Sequence, residues 1–468
     1  MNEDKNKILG EGNVSTSILK LAIPTIIGLL ITAIYNFVDT IFVSWAGTDA
    51  LSAATVGFPI IMLLGGLGSI YGLGGSTYVS RLLGQGDVKR ASRAVSTSII
   101  TSIITAVGVT LLGLLLLNPL VRLFGATNDS VLLLSRQYVG ILIMGSVFTM
   151  INITMNNLLR AEGSATFSMV GLSVGAILNI ILDPLFIFVF NLGVAGAAIA
   201  TVLSQIVSTA ILISFYIRKK SSLKLSFKYF SPDKVMYAEI YKIGIVSFLV
   251  QMLTSVAMGL LNNQAALYGN SEALAAMGIV SRVFMMGFYI MFGYSQGFLP
   301  IAGYSYGAKN YDRLLDAIKA ASLWITGFCL FLTIIFQFFT EPIVLLFKAS
   351  ESVTKIAVTG LHYYAIFLPV LGIFMVATAL YQALGHAGKA AIVSISRQGL
   401  FLIPLLFILP QYLGLTGVLI AQPVADGLSI MIALVLFYFS IKEIKNEKLN
   451  NIHLEDDILD AESAVHEQ

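Results

Sequence analysis

Asn118-Pro119-Leu120-Val121-Arg122-Leu123-Phe124 recurs 223 residues further along the chain as Glu341-Pro342-Ile343-Val344-Leu345-Leu346-Phe347. Two shorter matches have nearly the same spacing and pair residues 49–54 with 272–277, and residues 193–196 with 414–417. Chance similarity among apolar segments would not place three matches in the same order at one spacing. The sequence therefore predicts a fold built from two similar halves.

The composition of the chain predicts that both halves lie in a membrane. The 468 residues are 57% hydrophobic and 11% charged, whereas a soluble domain has about 25% charged residues. Apolar runs long enough to cross a bilayer as helices recur throughout the chain. We predict an all-α, polytopic membrane protein with twelve spans, numbered in order, at residues 17–46, 51–80, 92–117, 131–159, 165–190, 195–217, 240–268, 272–303, 316–340, 355–384, 389–410 and 416–440.

The repeat divides these spans into two lobes. Six spans separate equivalent residues, an even number, so the two copies run in the same direction across the membrane. Parallel repeats of this kind are typical of secondary transporters, which bind their substrates between the repeats. The predicted parts are an N-terminal segment (residues 1–16), an N-terminal lobe (17–217), a basic linker (218–239), a C-terminal lobe (240–440) and a tail (441–468). We expect the tail to be disordered from Asn446 onward because it is polar.

The distribution of basic residues predicts the orientation of the chain. If the N-terminus is cytoplasmic, 22 of the 28 Lys and Arg residues lie at the cytoplasmic ends of the spans or in the cytoplasmic loops. Cytoplasmic loops of membrane proteins carry an excess of Lys and Arg. We therefore expect both termini to be cytoplasmic.

Three carboxylates, Asp39, Asp183 and Asp426, lie inside predicted spans. An ionisable residue in hydrocarbon costs several kcal/mol and is by default a candidate functional residue. Counting along the helices places Asp39, Asp183 and Thr201 about 10 Å below the outer ends of spans 1, 5 and 6. Asn179 lies one helical turn before Asp183 and faces the same way. The sequence therefore predicts one polar layer in the N-terminal lobe.

This layer suits a small cation. Its oxygen atoms are those that Na⁺ prefers, and Pro184 leaves the carbonyl oxygen of Ile180 without a backbone donor. A proton suits the layer equally well, because two neighbouring carboxylates cannot both stay charged without a counter-ion. The alternative is that the acids are hydrogen-bonded within the bundle and have only a structural role.

The C-terminal lobe does not repeat the acidic layer. The spacing of the repeat aligns Asp39 with Leu261 and Asp183 with Ile403. The third acid, Asp426, is predicted to form a structural ion pair with one of the two arginines in the spans of this lobe, Arg282 or Arg397.

Methionine, aromatic and amide side chains are the candidates for a drug-binding cavity, since they adapt to varied shapes and attract organic cations. The alternative is ordinary helix packing. The candidate cavity residues are Tyr35, Asn36, Asn152, Met155, Asn156, Met286, Met291 and Tyr294.

Several classes of function lack their sequence signals. The single cysteine, Cys329, excludes an intrachain disulfide and a cysteine-based metal site, and the four histidines do not have metal-ligand spacing. No Walker A sequence is present, and no combination of a nucleophile and a base indicates an enzyme. We expect no enzymatic activity, no cofactor other than a coupling ion and no nucleic-acid partner.

Several motifs resemble the MATE (multidrug and toxic compound extrusion) family, and the resemblance covers residues 12–440. They are residues 22–24 with 35–39, residues 81–87, residues 159–163 and residues 179–184. The bacterial branch with MepA-like and DinF-like members is the most similar. The resemblance implies two six-helix lobes around a V-shaped central cavity. It also implies that Asp39, Asn179, Asp183 and Thr201 bind Na⁺ or H⁺, and that Pro24 bends the first helix.

From these features we predict a secondary antiporter in the inner or plasma membrane of a bacterium. It would exchange Na⁺ or H⁺ for amphipathic, often cationic, drugs and would function as a monomer. One alternative is a flippase for lipid-linked precursors, which shares the architecture but needs a cationic cavity for pyrophosphate. Another is a membrane scaffold, which has no reason to bury paired carboxylates.

Overall fold

The computed structural model describes residues 7–124 and 129–466, with side chains described from residue 8 to residue 451. Within these ranges all regular structure is helical. The α-helices are Val14–Trp45, Thr48–Gly84, Val88–Leu115, Leu117–Leu123, Asp129–Met144, Ser146–Ala161, Ala165–Pro184, Gly193–Ile217, Lys234–Gly307, Tyr311–Phe338, Thr340–Leu345, Glu351–Ala365, Leu368–Leu384, Ala387–Ile395, Ile403–Leu413 and Leu415–His466. Short π-helical segments occupy Lys7–Glu11, Leu185–Val189 and Ser396–Leu402, and a 3₁₀ turn occupies Phe227–Tyr229.

These helices form the twelve predicted spans. In the described residues, nine helices are long and apolar enough to cross a membrane, and two further spans, 4 and 10, are pairs of shorter helices bent by 50° and 56°. The 74-residue segment Lys234–Gly307 comprises two helices, which are spans 7 and 8. Non-helical backbone at Gly269 and Asn270 separates them. An unbroken helix of that length would be about 110 Å long, far more than the ~30 Å hydrocarbon core. The prediction of an all-α membrane fold is confirmed.

The two lobes share a hydrophobic core at one end of the bundle only. This end, where helices stop at Gly84 and Gly307, is here called the basic end because the Lys and Arg residues predicted to be cytoplasmic cluster there. At the basic end, Ile18 and Leu21 of span 1 pack within the core of the C-terminal lobe. At the opposite end, a separate core contains residues between 43 and 198 alone. The lobes are thus joined at the basic end and have separate cores at the other.

Glycines allow spans 2 and 8 to approach closely at the basic end. A Cβ atom on Gly84 would lie 2.0 Å from the carbonyl oxygen of Tyr304, and one on Gly307 would lie 2.1 Å from the carbonyl oxygen of Arg81. The Arg81 guanidinium donates to the Ala383 carbonyl oxygen at 3.1 Å and pairs with Glu239 at 2.6 Å. Backbone contact and an ion pair together close the bundle at this end.

The linker between the lobes is fixed to span 3. The backbone N–H of Lys224 donates to Ser92 Oγ at 3.1 Å, and that of Ser226 donates to Ser96 Oγ at 3.3 Å. The N–H of Ser231 donates to Thr97 Oγ1 at 3.1 Å. These hydroxyls lie along one side of the helix Val88–Leu115, so most of the linker is held against the N-terminal lobe.

The expectation of a disordered tail is wrong for the residues that the structure describes. The helix that begins at Leu415 continues past Asn446 to His466. Two ion pairs near Asn446 join it to the C-terminal lobe: Glu443 with Lys389 at 2.5 Å, and Lys448 with Asp312 at 2.5 Å. Polar composition indicated disorder, but these charges have partners that are remote in the sequence.

Adding a methyl group to Gly307 should push the lobes apart at the basic end. Because the nearest atom to the new methyl is a backbone oxygen, at 2.1 Å, the contact cannot be relieved by a side-chain rotation. We expect Gly307→Ala to cost about 1–3 kcal/mol, as overpacking does. Gly278→Ala, in the same helix, is the matched control because no atom lies within 4 Å of its Cβ position.

The first measurement is the thermal stability of each variant. The second is the rate at which maleimide labels a cysteine introduced by Ser305→Cys, a buried position at the basic end, in a background in which Cys329 is replaced by Ser. We expect Gly307→Ala to lower the melting temperature and to speed labelling. Equal melting temperatures and labelling rates in the two alanine variants would show that this approach does not hold the lobes together.

Candidate ion-coupling site

The structure brings the two N-terminal acids together. Asp39 lies on the helix Val14–Trp45 and is half-buried, while Asp183 lies on the helix Ala165–Pro184 and has no exposed surface. Their carboxyl groups are close enough to interact directly. The matched depths read from the sequence thus correspond to a contact between spans 1 and 5.

Asn179 and Thr201 complete the polar layer. The amide nitrogen of Asn179 donates to Asp183 Oδ1 at 3.2 Å and to Thr201 Oγ1 at 3.4 Å. Asn179 is 1% exposed, and its position one turn before Asp183 on the same helix allows the first of these bonds. All four residues predicted from the sequence therefore lie at one place.

Three oxygen atoms of this layer are buried without a hydrogen-bond partner: Asp39 Oδ1, Asn179 Oδ1 and Asp183 Oδ2. Within the part of the chain that the structure describes, neither acid has an ion pair with Lys, Arg or His. Leaving a buried acceptor unsatisfied costs about 1–3 kcal/mol, and a charged one costs more. A proton shared by the carboxyl groups, or a cation bound by the oxygens, would remove this cost.

The donor set determines which cations would fit. Carboxylate, amide and hydroxyl oxygens suit a hard ion such as Na⁺. No group of three His, Cys, Asp or Glu side chains that could bind a metal occurs among the residues with described positions, so the layer lacks the usual ligands of zinc or copper.

Two tyrosines border the acids. Tyr35, one turn before Asp39 on span 1, lies close enough to both carboxyl groups to interact with them electrostatically. The same holds for Tyr138 on span 4, which is 4% exposed. The sequence analysis missed Tyr138, because an isolated tyrosine in an apolar span carries no signal of its tertiary neighbours.

A π-helical turn, Leu185–Val189, follows Pro184 directly. Pro184 has no N–H to offer to the carbonyl of Ile180. The start of span 6 packs on this turn, where a Cβ on Gly196 would lie 2.6 Å from the carbonyl carbon of Phe186. In the C-terminal lobe a Cβ on Gly417 would likewise lie 2.4 Å from the Leu409 carbonyl oxygen. The repeated glycines therefore have one role in both lobes: they let span 6 or span 12 pack closely against the end of the preceding span.

The acid of the C-terminal lobe has a partner. Arg397 Nε donates to Asp426 Oδ1 at 2.8 Å, and Gln422 Nε2 donates to the same oxygen at 2.6 Å. Arg397 and Asp426 are 8% and 5% exposed. The expected ion pair is present, and the choice that the sequence left open falls on Arg397. Arg282 is exposed and lies 5.7 Å from the ring centre of Phe37.

The predicted cavity residues of the N-terminal lobe occupy two environments. Asn36 is exposed and Tyr35 is half-buried. Asn152 donates to Ser208 Oγ at 2.6 Å, Asn156 Oδ1 accepts from Ser168 Oγ at 2.7 Å, and Met155 has no exposed surface. The last three therefore contact neighbouring helices, and a role for any of the five in drug binding stays a prediction.

The predicted cavity residues of span 8 also differ in exposure. Met286 is 61% exposed, whereas Met291 and Tyr294 are 1% and 7% exposed. Met291 contacts Cys329, whose Sγ lies 3.2 Å from the methionine sulfur, and the Tyr294 hydroxyl is buried without a partner. Their contribution to a drug site also stays a prediction.

Known proteins share this architecture. The MatE family model matches residues 24–185 and 244–408. The multidrug export protein MepA of Staphylococcus aureus (strain MRSA252) is 31% identical over 428 residues, which are 91% of this chain and 94% of that protein. An outward-facing multidrug resistance MATE family transporter of the MOP superfamily is 27% identical, with a TM-score of 0.90 over 95% of this chain and 100% of the other.

A second solved structure is similar to the same degree. It is a MOP superfamily transporter from Pyrococcus furiosus Vc1 (DSM3638), for which a reverse polarity of the binding pocket suggests a different function. It is 27% identical, with a TM-score of 0.88 over 95% of this chain and 99% of the other.

Neutralising Asp426 should destabilise the protein. Asp426→Asn leaves the buried Arg397 guanidinium unpaired, and breaking a buried pair in this way costs about 3–5 kcal/mol. The combined variant Arg397→Met with Asp426→Asn removes both charges, so we expect it to regain most of the melting temperature. If Asp426→Asn is as stable as the parent protein, the ion pair does not support the fold.

Proposed function

Because the chain belongs to the MATE family of membrane transporters, we propose that it exports varied drugs across the membrane in exchange for Na⁺ or H⁺. The chain is a multi-pass helical membrane protein. Similarity to a multidrug export protein supports drugs as its substrates. The three unpartnered oxygens of Asp39, Asn179 and Asp183 carry the proposal of ion exchange.

The ion site is suited to exchange rather than to permanent occupancy. Its two carboxyl groups interact with each other and have no resident cation among the described side chains. Asp39 remains half-buried, whereas Asp183 has no exposed surface, so we expect an ion to enter from the side of Asp39. A site that must be neutralised, and that lies near the surface on one side, can take up an ion and release it again.

The closure of the basic end supports a direction for this exchange. The lobes contact each other through Gly84, Gly307 and Arg81 at that end and have separate cores at the other. With the basic end on the cytoplasmic side, as the distribution of Lys and Arg predicts, the ion site opens outward. Ions would then enter the site from outside the cell, down a gradient that is directed inward.

Span 1 connects the two lobes and can couple ion to drug. Before Pro24 and just after it, the span packs on the C-terminal lobe, where Gly297 fits against Ala22 and Gly293 against Ile26. At Gly28 it packs on span 5 of the N-terminal lobe, against Leu172.

The change of lobe in span 1 therefore falls within four residues of Pro24, which removes the backbone hydrogen bond to the Lys20 carbonyl. Relative movement of the lobes must be absorbed there. Neutralising Asp39 would lower its cost of burial and let the upper part of the helix lean towards Asp183, which moves Tyr35 and Asn36.

The flippase alternative is less well supported. A carrier of lipid-linked pyrophosphate needs exposed cationic side chains between the lobes. Asp426 neutralises Arg397, and the exposed Arg282 is held over the Phe37 ring. Two uncompensated carboxyl groups instead favour cationic ligands. Reconstituted vesicles that translocate a lipid-linked pyrophosphate, but not ethidium, would favour the flippase.

Asp183→Asn should abolish gradient-driven efflux of ethidium while the protein still folds, because the substitution removes the charge and keeps the shape. The assay is ethidium uptake into everted vesicles, which corresponds to efflux from the cell, with Na⁺ and H⁺ gradients imposed separately, which also identifies the ion. Asp49→Asn is the matched control, since Asp49 is exposed and accepts a hydrogen bond from Ser130 Oγ, on a helix that contributes none of the four ion-site residues. Efflux at the parental rate in Asp183→Asn would refute the proposed coupling role.

Pro24→Ala should weaken the linkage between ion and drug. Coupling between linked sites is typically about 1–3 kcal/mol, so saturating ion should lower ethidium affinity by roughly 5–150-fold in the parent protein. With the hinge stiffened, we expect a smaller factor. Pro59→Ala, which alters a proline inside span 2, should leave the factor unchanged. This factor is measured by titrating ethidium binding in detergent at a series of Na⁺ concentrations and pH values. The parental factor in Pro24→Ala would mean that no hinge is needed.

A further inference from the structure

Both lobes bury an acid between their last two spans. In the N-terminal lobe this acid is Asp183 of span 5, beside Thr201 of span 6. Gly193 begins the helix of span 6, and Gly414, 221 residues further on, directly precedes the helix of span 12. The same spacing relates Thr201 to Gln422. Gln422 donates to Asp426 at 2.6 Å. The two polar clusters therefore occupy corresponding places in the repeat.

The clusters differ in how their acids are neutralised. Both oxygens of Asp426 accept hydrogen bonds from Arg397, at 2.8 and 3.4 Å, and one also accepts from Gln422. The cluster around Asp183 instead has three buried oxygens without partners. The C-terminal cluster is complete without any ligand, whereas the N-terminal cluster is not.

Several contacts fix Arg397 in place. It lies in the π-helical turn Ser396–Leu402 of span 11, and its guanidinium lies over the Phe288 ring at 5.6 Å from the ring centre. The side chain is 8% exposed. Arginine does not lose its proton under physiological conditions, so this charge stays with the protein throughout a transport cycle.

We propose that Arg397 is a built-in counter-cation that occupies the place of an exchangeable ion in the C-terminal lobe and so confines cation exchange to the Asp39–Asp183 pair. A mobile Na⁺ or H⁺ cannot displace a guanidinium that is covalently attached and hydrogen-bonded to the acid. Arg397 thus sets the number of ions that the protein can exchange. The statement that the N-terminal pair is the coupling site rests on the proposed function, but the role of Arg397 towards Asp426 does not.

Removing the guanidinium should create a second cation site. In Arg397→Met, Asp426 keeps the Gln422 amide but loses its counter-ion, so we expect it to bind Na⁺ or to take up a proton. The number of cations bound per protein should rise from one to two, and the melting temperature should become more strongly dependent on NaCl, with choline chloride as the reference salt. A purely structural arginine would lower the melting temperature without adding a bound ion.

The matched variants separate this inference from the proposed function. Arg397→Met with Asp426→Asn has no C-terminal charge and should bind one cation, as the parent does. Asp183→Asn should bind none, and Arg397→Met in that background should bind one. ²²Na⁺ binding and proton uptake by the purified protein are the measurements. If the parent binds no cation but Arg397→Met binds one, the proposed coupling site fails while the inference about Arg397 stands.

Two results would overturn the inference. One is a folded Arg397→Met protein that binds the same number of cations as the parent. The other is failure of both Arg397→Met and Arg397→Gln to fold at any NaCl concentration or pH, which would mean that no mobile cation can replace the guanidinium.

Discussion

The need to neutralise two neighbouring carboxyl groups inside an apolar bundle is the constraint on which the proposed function of this protein depends. Asp39 and Asp183 interact with each other, and the described part of the chain offers them no cationic side chain. Burying charge without a partner is too costly for a stable protein. In the function that we propose, an ion from solution completes the site, and a site completed from solution can be filled and emptied.

The packing of the lobes makes that site useful for transport. Glycines bring spans 2 and 8 into backbone contact at the basic end, while the other end has separate cores. Span 1 belongs to both arrangements, because it packs on Gly293 and Gly297 near Pro24 and on span 5 at Gly28. A change of charge at Asp39 therefore acts on the helix that passes from one lobe to the other. Ion binding and lobe movement share a physical element, as allosteric coupling requires.

Much of this could be predicted from the sequence, because the signals are local or periodic. Twelve apolar runs determine the helices, and counting residues from their ends brings Asp39, Asn179, Asp183 and Thr201 into one layer. Tyr138 was missed because its proximity to the acids depends on how span 4 packs. The ordered tail was also missed, since its ion pairs join residues such as Lys448 and Asp312 that are remote in the sequence. Likewise, only the structure shows which arginine pairs with Asp426.

The two lobes share one scaffold, but their buried polar clusters differ in chemistry. Gly196 and Gly417 seat span 6 and span 12 in the same way, so the backbone can bury a polar cluster in either lobe. What decides the behaviour of each cluster is whether the chain supplies the compensating charge. Where Arg397 supplies it, the cluster holds helices together, and where no described side chain supplies it, we propose that the cluster binds an ion. In the proposed mechanism, the location of the missing charge, more than the location of the acids, therefore determines which half of the molecule responds to an ion gradient.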